Sequence, residues 1–144
     1  MTKSYKRPES ILVVVYTAGG EALMLNRTKP TGFWQSVTGS MRWGETARHA
    51  AERELYEETG LRGQGRLIDC RLTVEFPILP EWRPRYAPTA RYNREHHFLL
   101  RLPFRRLIKL SPTEHTEYRW VPILEAAKMA TSWTNRDALL KLIQ

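Results

Sequence analysis

At 144 residues the chain predicts one domain, 1–144, large enough to bury a real core and without a Gly/Ser linker, repeat or low-complexity block to divide it. Its single cysteine, Cys70, excludes an intrachain disulfide and a cysteine-built zinc site, which points to a reducing compartment. The net charge of +8 gathers between residues 62 and 109, where eleven Lys/Arg stand against four Asp/Glu, a surface that suits a nucleic acid, an anionic small molecule or plain solvation.

In chain order, the apolar run 11–16 is too short to cross a membrane, and its β-branched residues read as a strand over 10–17. A soluble, cytoplasmic protein with no membrane partner is expected. Gly19-Gly20 and the segment 21–27 complete a hairpin. Residues 28–32 form a loop, and 33–37 a short extended stretch that leads to Gly39. A helix is predicted over 47–59, with Thr46 as N-cap and Gly60 as its left-handed end; His49 stands where a full capping box needs Glu or Gln.

On that helix, at about 100° per residue, Ala47, Ala50, Ala51 and Leu55 share one side, while Arg48, His49, Glu52, Arg53 and Tyr56 fall largely on the other. Glu54 and Glu58 project within the apolar side and Glu57 lies at its edge. An acidic run is ordinarily a solvated face, with Arg53 and Glu57 as an i, i+4 pair contributing about 0.2–0.5 kcal/mol. Three carboxylates aimed inward are different. They repel, raise one another's pKa and cost free energy to bury, and a hard divalent cation offsets that cost: Mg²⁺, with Mn²⁺ as a substitute.

Beyond the helix, 62–65 is a turn and 66–76 a strand carrying Leu67, Ile68, Leu72, Val74 and Phe76, with Cys70 as a small buried residue. Prolines 77, 80, 84 and 88 exclude a central strand and predict a long loop over 77–95. Strands follow at 96–102, 105–110 and 118–121. Pro122 opens a short helix through Ala130, and Thr134 or Asn135 caps a last helix to Ile143, with Leu139, Leu140 and Ile143 facing inward. The pattern is α/β: a mixed sheet between helices. His96, His97 and His115 lack the spacing of a zinc set and are expected at the surface or in hydrogen bonds. Trp82 and Tyr86, interleaved with Arg83 and Arg85, suit either stacking on bases or a lid over a ring.

Gly39, Glu45, Arg53, Glu54, Leu55, Glu57, Glu58, Gly60 and Leu61 stand at the spacing G-x5-E-x7-R-E-U-x-E-E-x-G-U, where U is a bulky aliphatic residue. On these positions the chain resembles the Nudix hydrolases. The resemblance implies an α/β/α sandwich and Mg²⁺-dependent hydrolysis of a nucleoside diphosphate linked to another group. It further implies that Glu54, Glu57 and Glu58 bind metal or handle the attacking water and that Arg53 orients a carboxylate. Glu114, in the loop Thr113-Glu114-His115, is the expected metal-binding carboxylate from outside the box. Glu54 and Glu114 both remain candidates for the general base.

Outside the box the chain is similar to the Nudix enzymes that act on the pterin triphosphate of folate synthesis. The similarity rests on Tyr5-Lys6-Arg7-Pro8, residues 33–40, Asp69-Cys70, residues 73–76, residues 85–88, residues 113–115, Ser132-Trp133 and Asn135-Arg136. It implies cleavage of 7,8-dihydroneopterin triphosphate between the α and β phosphates. It also implies that Lys6, Arg27 and Thr38 contact substrate, the two cations at phosphates, and that Phe76, the following loop and Ser132 bound the pterin. Each has a plainer role open to it: Lys6 and Arg27 as surface charges, Thr38 in a turn, Phe76 in the core, Ser132 in a turn or cap. Two other functions stay in competition. One is a nucleoside triphosphate pyrophosphohydrolase acting on dATP, dGTP or oxidised purine nucleotides, since guanine and pterin share a pyrimidinone edge. The other is a non-catalytic RNA-binding module, against which the intact glutamates count. The expected partner is a small pterin or nucleoside triphosphate rather than nucleic acid.

Overall fold

The computed structural model describes residues 4–144. The elements are β1 (Glu9–Thr17), β2 (Glu21–Arg27), β3 (Trp34–Gln35), β4 (Val37–Ser40), α1 (Ala47–Thr59), β5 (Ile68–Pro77), β6 (Tyr92–Leu102), β7 (His115–Pro122), α2 (Ile123–Met129) and α3 (Trp133–Leu140). The strands form one sheet in the order β3-β2-β1-β6-β5, with β4 pairing β1 and β7 pairing β2.

β1 lies at the centre because both of its faces are apolar. Ile11, Val13 and Val15 pack with Ala50, Ala51 and Leu55 of α1, while Leu12 and Val14 pack with Ala126, Ala127, Ala138 and Leu139 of α2 and α3. A strand covered on both sides reads as a continuous apolar run instead of an alternating one. The result is the α/β/α sandwich that the resemblance implied. β1 runs parallel to β6, with Ser10 beside Glu95 and Leu12 beside His97. It runs antiparallel to β4, with Ser10 opposite Ser40, Ile11 opposite Gly39 and Leu12 opposite Thr38. The start of β1, the end of β4 and the start of β6 therefore meet at one end of the sheet. β2, antiparallel to β1, brings Arg27 to the same end, where Arg27 pairs with His115 at the start of β7.

α1 has the predicted ends. The Thr46 hydroxyl accepts from the His49 N–H at 3.1 Å, and Gly60, at φ +76°, donates its N–H to the Tyr56 carbonyl at 2.9 Å. Other boundaries differ. β6 begins at Tyr92 rather than 96, so the proline-rich loop is shorter and contains a 3-10 helix, Pro80–Arg85. The polar start of β6 is held by pairing on both sides, with β1 and with β5. Residues 105–110 form no strand; this segment runs along the surface with Leu107 92% exposed, tied by the Lys109 N–H to the Thr59 carbonyl. β7 starts three residues earlier than expected. The short stretch 33–37 is split at Ser36 into β3 and β4, and Cys70 is only partly buried.

At the other end of the chain, α3 starts after Ser132, and Thr134 and Asn135 lie inside it. Asn135 is not a cap. Its Oδ1 accepts from the Ser36 N–H at 2.7 Å and its Nδ2 donates to Ser36 Oγ at 2.9 Å, which pins α3 to the break between β3 and β4. Ile143 is exposed, leaving Leu139 as the fully buried member of the expected stripe. Asn135→Ala should strand the buried Ser36 N–H and cost about 1–3 kcal/mol. Urea unfolding of the variant measures this, and an unchanged midpoint would contradict the anchoring role.

Candidate active site

α1 carries Glu54 and Glu58 into the layer between itself and the sheet, where they are 8% and 2% exposed. Their carboxylates lie against β4. The Thr38 N–H donates to Glu58, and a β-carbon at residue 39 would overlap the Glu54 carboxylate, so Gly39 is glycine because the carboxylate occupies that space. The helix-wheel expectation for the two glutamates holds. That for Arg53 does not: its side chain is 13% exposed, because it turns back across the start of α1. Nε and Nη2 donate to the two Glu45 oxygens at 2.8 and 2.9 Å, and Nη2 also donates to the Ser40 carbonyl at 3.1 Å. Nη1 lies 3.5 Å from Glu54 and 3.4 Å from Glu57.

Glu45 is the member of this group to which the sequence reading assigned no role. It also accepts from the Arg42 N–H at 2.9 Å, and the Arg53 guanidinium holds its carboxyl well below the usual carboxylate range. A two-point guanidinium–carboxylate fork fixes both partners in orientation as well as charge. Arg53, thus held, faces Glu54 and Glu57 as a fixed cation.

Burial pushes the Glu54 carboxyl up to about 8, with Arg53 opposing and with Glu57 and Glu114 adding repulsion. Burial likewise holds Glu58 well above its ordinary value, reinforced by Glu54 and Glu114. These four carboxylates are thus within electrostatic reach of one another, although Glu57 and Glu114 are themselves exposed. His115, next to Glu114, is buried with its Nε2 3.2 Å from Gln35 Nε2 and 3.9 Å from Glu58 Oε1; burial lowers its pKa to about 4, so it is neutral at pH 7. His96 and His97 bond to Glu9 and Glu95, each at 2.8 Å, in the hydrogen-bonding role expected of them.

Facing the carboxylates is a group of cations. Lys6 is half-buried over the Tyr86 ring, and its pKa is lowered by burial and by the neighbouring charges of Arg85 and Arg27, with Glu54 opposing. The Lys6 N–H donates to the Arg85 carbonyl at 2.9 Å, tying the N-terminal arm to the proline-rich loop. Arg27 lies over the Phe33 ring. Lys6 and Arg27 therefore share one region with Glu54, and Arg85, from the loop after Phe76, joins them. The Thr38 hydroxyl donates to the Ile11 carbonyl at 2.9 Å, so this residue reaches the site through its backbone. Phe76 is half-buried on β5 opposite Asn93, and Ser132 Oγ lies 2.8 Å from Thr134 Oγ1 at the start of α3. An open groove of about 570 Å³ along the outer side of α1 borders the site through Arg53 and Glu57.

This fold and this acidic helix define a class. The NUDIX domain matches residues 6–142, and the chain belongs to the Nudix family of hydrolases. It is 47% identical over 145 residues to the dihydroneopterin triphosphate diphosphatase of Escherichia coli K12, covering 98% of this chain and 95% of that one. The Haemophilus influenzae protein of the same name is 38% identical over 143 residues, covering 96% and 89%. The structure of the E. coli dihydroneopterin triphosphate pyrophosphohydrolase superposes with a TM-score of 0.87 at 46% identity, covering 98% of each chain.

Nudix hydrolases generally use a divalent metal. The donors here fit one: they are hard carboxylate oxygens, and Glu58 Oε1 is buried without a hydrogen-bond partner. Among the described residues no three acidic, imidazole or thiol groups already converge as a ligand set, and repulsion among like charges opposes such convergence.

Glu54 keeps its proton in the folded protein at pH values where the unfolded chain, with a carboxyl near about 4.3, has lost it. The contribution of His115, lowered to about 4, is complete above the unfolded value of about 6.5. Between pH 6.5 and 8, therefore, the stability of metal-free protein should fall as pH rises. Urea midpoints across this window should decline, and Glu54→Gln should flatten the trend; an unchanged slope in the variant would contradict a raised Glu54.

Proposed function

We propose that this protein, acting as one domain over 1–144, hydrolyses 7,8-dihydroneopterin triphosphate between the α and β phosphates to dihydroneopterin monophosphate and pyrophosphate. The observation that carries this reading is a buried carboxylate pair on α1 set against a cation group of Lys6, Arg27 and Arg85. Near full-length similarity to enzymes named for that substrate supports it.

Water attacks phosphorus and displaces the other phosphoryl group, so one P–O–P bond is exchanged for one P–OH on each product. Lys6 and Arg27 hold the phosphate oxygens. Glu54, Glu57, Glu58 and Glu114 would hold a divalent cation, Mg²⁺ with Mn²⁺ as a substitute. Such an ion would supply neutralisation of phosphate charge and a lowered pKa of bound water. Arg53, locked by Glu45, keeps Glu54 and Glu57 oriented toward the site. The proton of the attacking water goes to one of two carboxylates, Glu54 or Glu114. Phe76, the loop after it and Ser132 bound the pterin, and Thr38 lines the approach. The partner is a small-molecule triphosphate.

Turnover of dihydroneopterin triphosphate alongside dATP, dGTP and other nucleoside triphosphates, scored for pyrophosphate against orthophosphate, tests this directly. The highest kcat/KM should belong to the pterin, with pyrophosphate released; a better nucleotide would overturn the substrate, and orthophosphate the cleavage site. Glu58→Gln should keep the fold and lower kcat in Mg²⁺ by about 10²–10³-fold. A wild-type rate in that variant would remove Glu58 from the metal site.

A further inference from the structure

The face of the sheet beneath α3 carries a third buried carboxylate, which the chemistry above does not use. His97 of β6 points to that face, where it lines a cavity of about 150 Å³ with Leu12, Leu72, Ala138 and Lys141. Side chains alternate along a strand, so Glu95 and Asn93 share this face, one and two steps nearer the end of the sheet that holds the catalytic groups. Ser10 lies beside Glu95 on β1, and Val74 lies opposite it on β5. The Asn93 amide donates to Ser10 Oγ at 2.7 Å, and Phe76 is opposite Asn93. Across β1, Ser40 continues the row of Glu95 and Ser10, and Thr38 lies one step along the same face, in the row of His97 and Leu12. Glu95 therefore stands on a floor between Phe76 and Thr38. Lys6 is four residues before Ser10, at most about 14 Å of extended chain, so one ligand can place its phosphates at Lys6 and its ring over Glu95.

Glu95 is 5% exposed, a costly position for a carboxylate unless its oxygens are used. His97 Nε2 takes Oε1 at 2.8 Å and fixes the rotation of the group. A carboxylate accepts at both oxygens, and two parallel N–H groups on a flat partner match it well. The 2-aminopyrimidinone edge of a pterin presents such a pair, the ring N–H and the exocyclic amine. Guanine presents the same pair and adenine does not.

We propose that Glu95 is the specificity-determining residue for the pterin ring, accepting the two adjacent N–H groups of its 2-aminopyrimidinone edge while His97 holds it in place. The inference rests on the pterin reading for its ligand. A buried Glu–His pair with a purely structural role would affect all substrates alike.

The test is the ratio of kcat/KM for dihydroneopterin triphosphate to that for dATP, in wild type and in Glu95→Gln. Taking the ratio within one variant cancels any loss of folded protein. Replacing one acceptor oxygen by an amide NH₂ should lower the ratio roughly 10- to 100-fold; an unchanged ratio overturns the proposal. If the variant does not fold, wild-type protein supplies the second comparison, dGTP against dITP, which lacks the exocyclic amine. dGTP should be favoured by about tenfold, the value of one hydrogen bond to a charged group, and equal turnover overturns the proposal. A wild type that prefers nucleotides to the pterin would sink the proposed function, while these two comparisons judge Glu95 by themselves.

Discussion

Two carboxyl side chains buried one helical turn apart are the constraint around which this molecule is built. Glu54 and Glu58 sit on the inner side of α1 between alanines and a leucine, where desolvation alone disfavours their charged forms. Hydrophobic packing cannot account for that placement. What surrounds it offsets part of the cost: a backbone N–H from Thr38, a bare Cα at Gly39 and the charge of Arg53. The remainder is what a hard divalent cation would supply.

Each of those supports depends on a different part of the fold. Thr38 and Gly39 are in place because β4 pairs with the lower half of β1. Arg53 can face inward because both oxygens of Glu45, just before the helix, grip the Nε–Nη2 edge of its guanidinium and leave Nη1 toward Glu54 and Glu57. Opposite them, Lys6 and Arg85 are brought together by a backbone hydrogen bond between the arm and the proline-rich loop, while Arg27 arrives at the end of β2. Negative and positive groups then share one end of the sheet. A polyphosphate bridged to the carboxylates by a cation suits that distribution, and a neutral His115 adds no competing charge.

The parts of this arrangement that were legible in the sequence are those governed by local rules. Thr46 and Gly60 mark the ends of α1 through capping chemistry, and the apolar run of β1 announces burial on both faces. The spacing of nine residues indicated the class of chemistry before any contact was visible. What stayed hidden depends on distant partners. The start of β6 is polar, and its strand character comes from neighbours on both sides. Arg53 looks like a surface residue on a helix wheel, because the wheel does not contain Glu45. Asn135 has the composition of a cap, yet it is used by Ser36, 99 residues earlier in the chain. Glu95 gave no signal, since a lone glutamate in a strand has no local pattern to distinguish a buried acceptor from a solvated charge.

The chemistry of this fold turns on whether the buried carboxylates are a metal site. Anomalous diffraction from crystals soaked in Mn²⁺ with a non-hydrolysable triphosphate analogue would locate the ion directly. A peak in contact with carboxylate oxygens of both Glu54 and Glu58, with phosphate oxygens completing its shell, is the predicted result. Mn²⁺ bound elsewhere, with Glu58 left uncoordinated beneath the analogue, would contradict it.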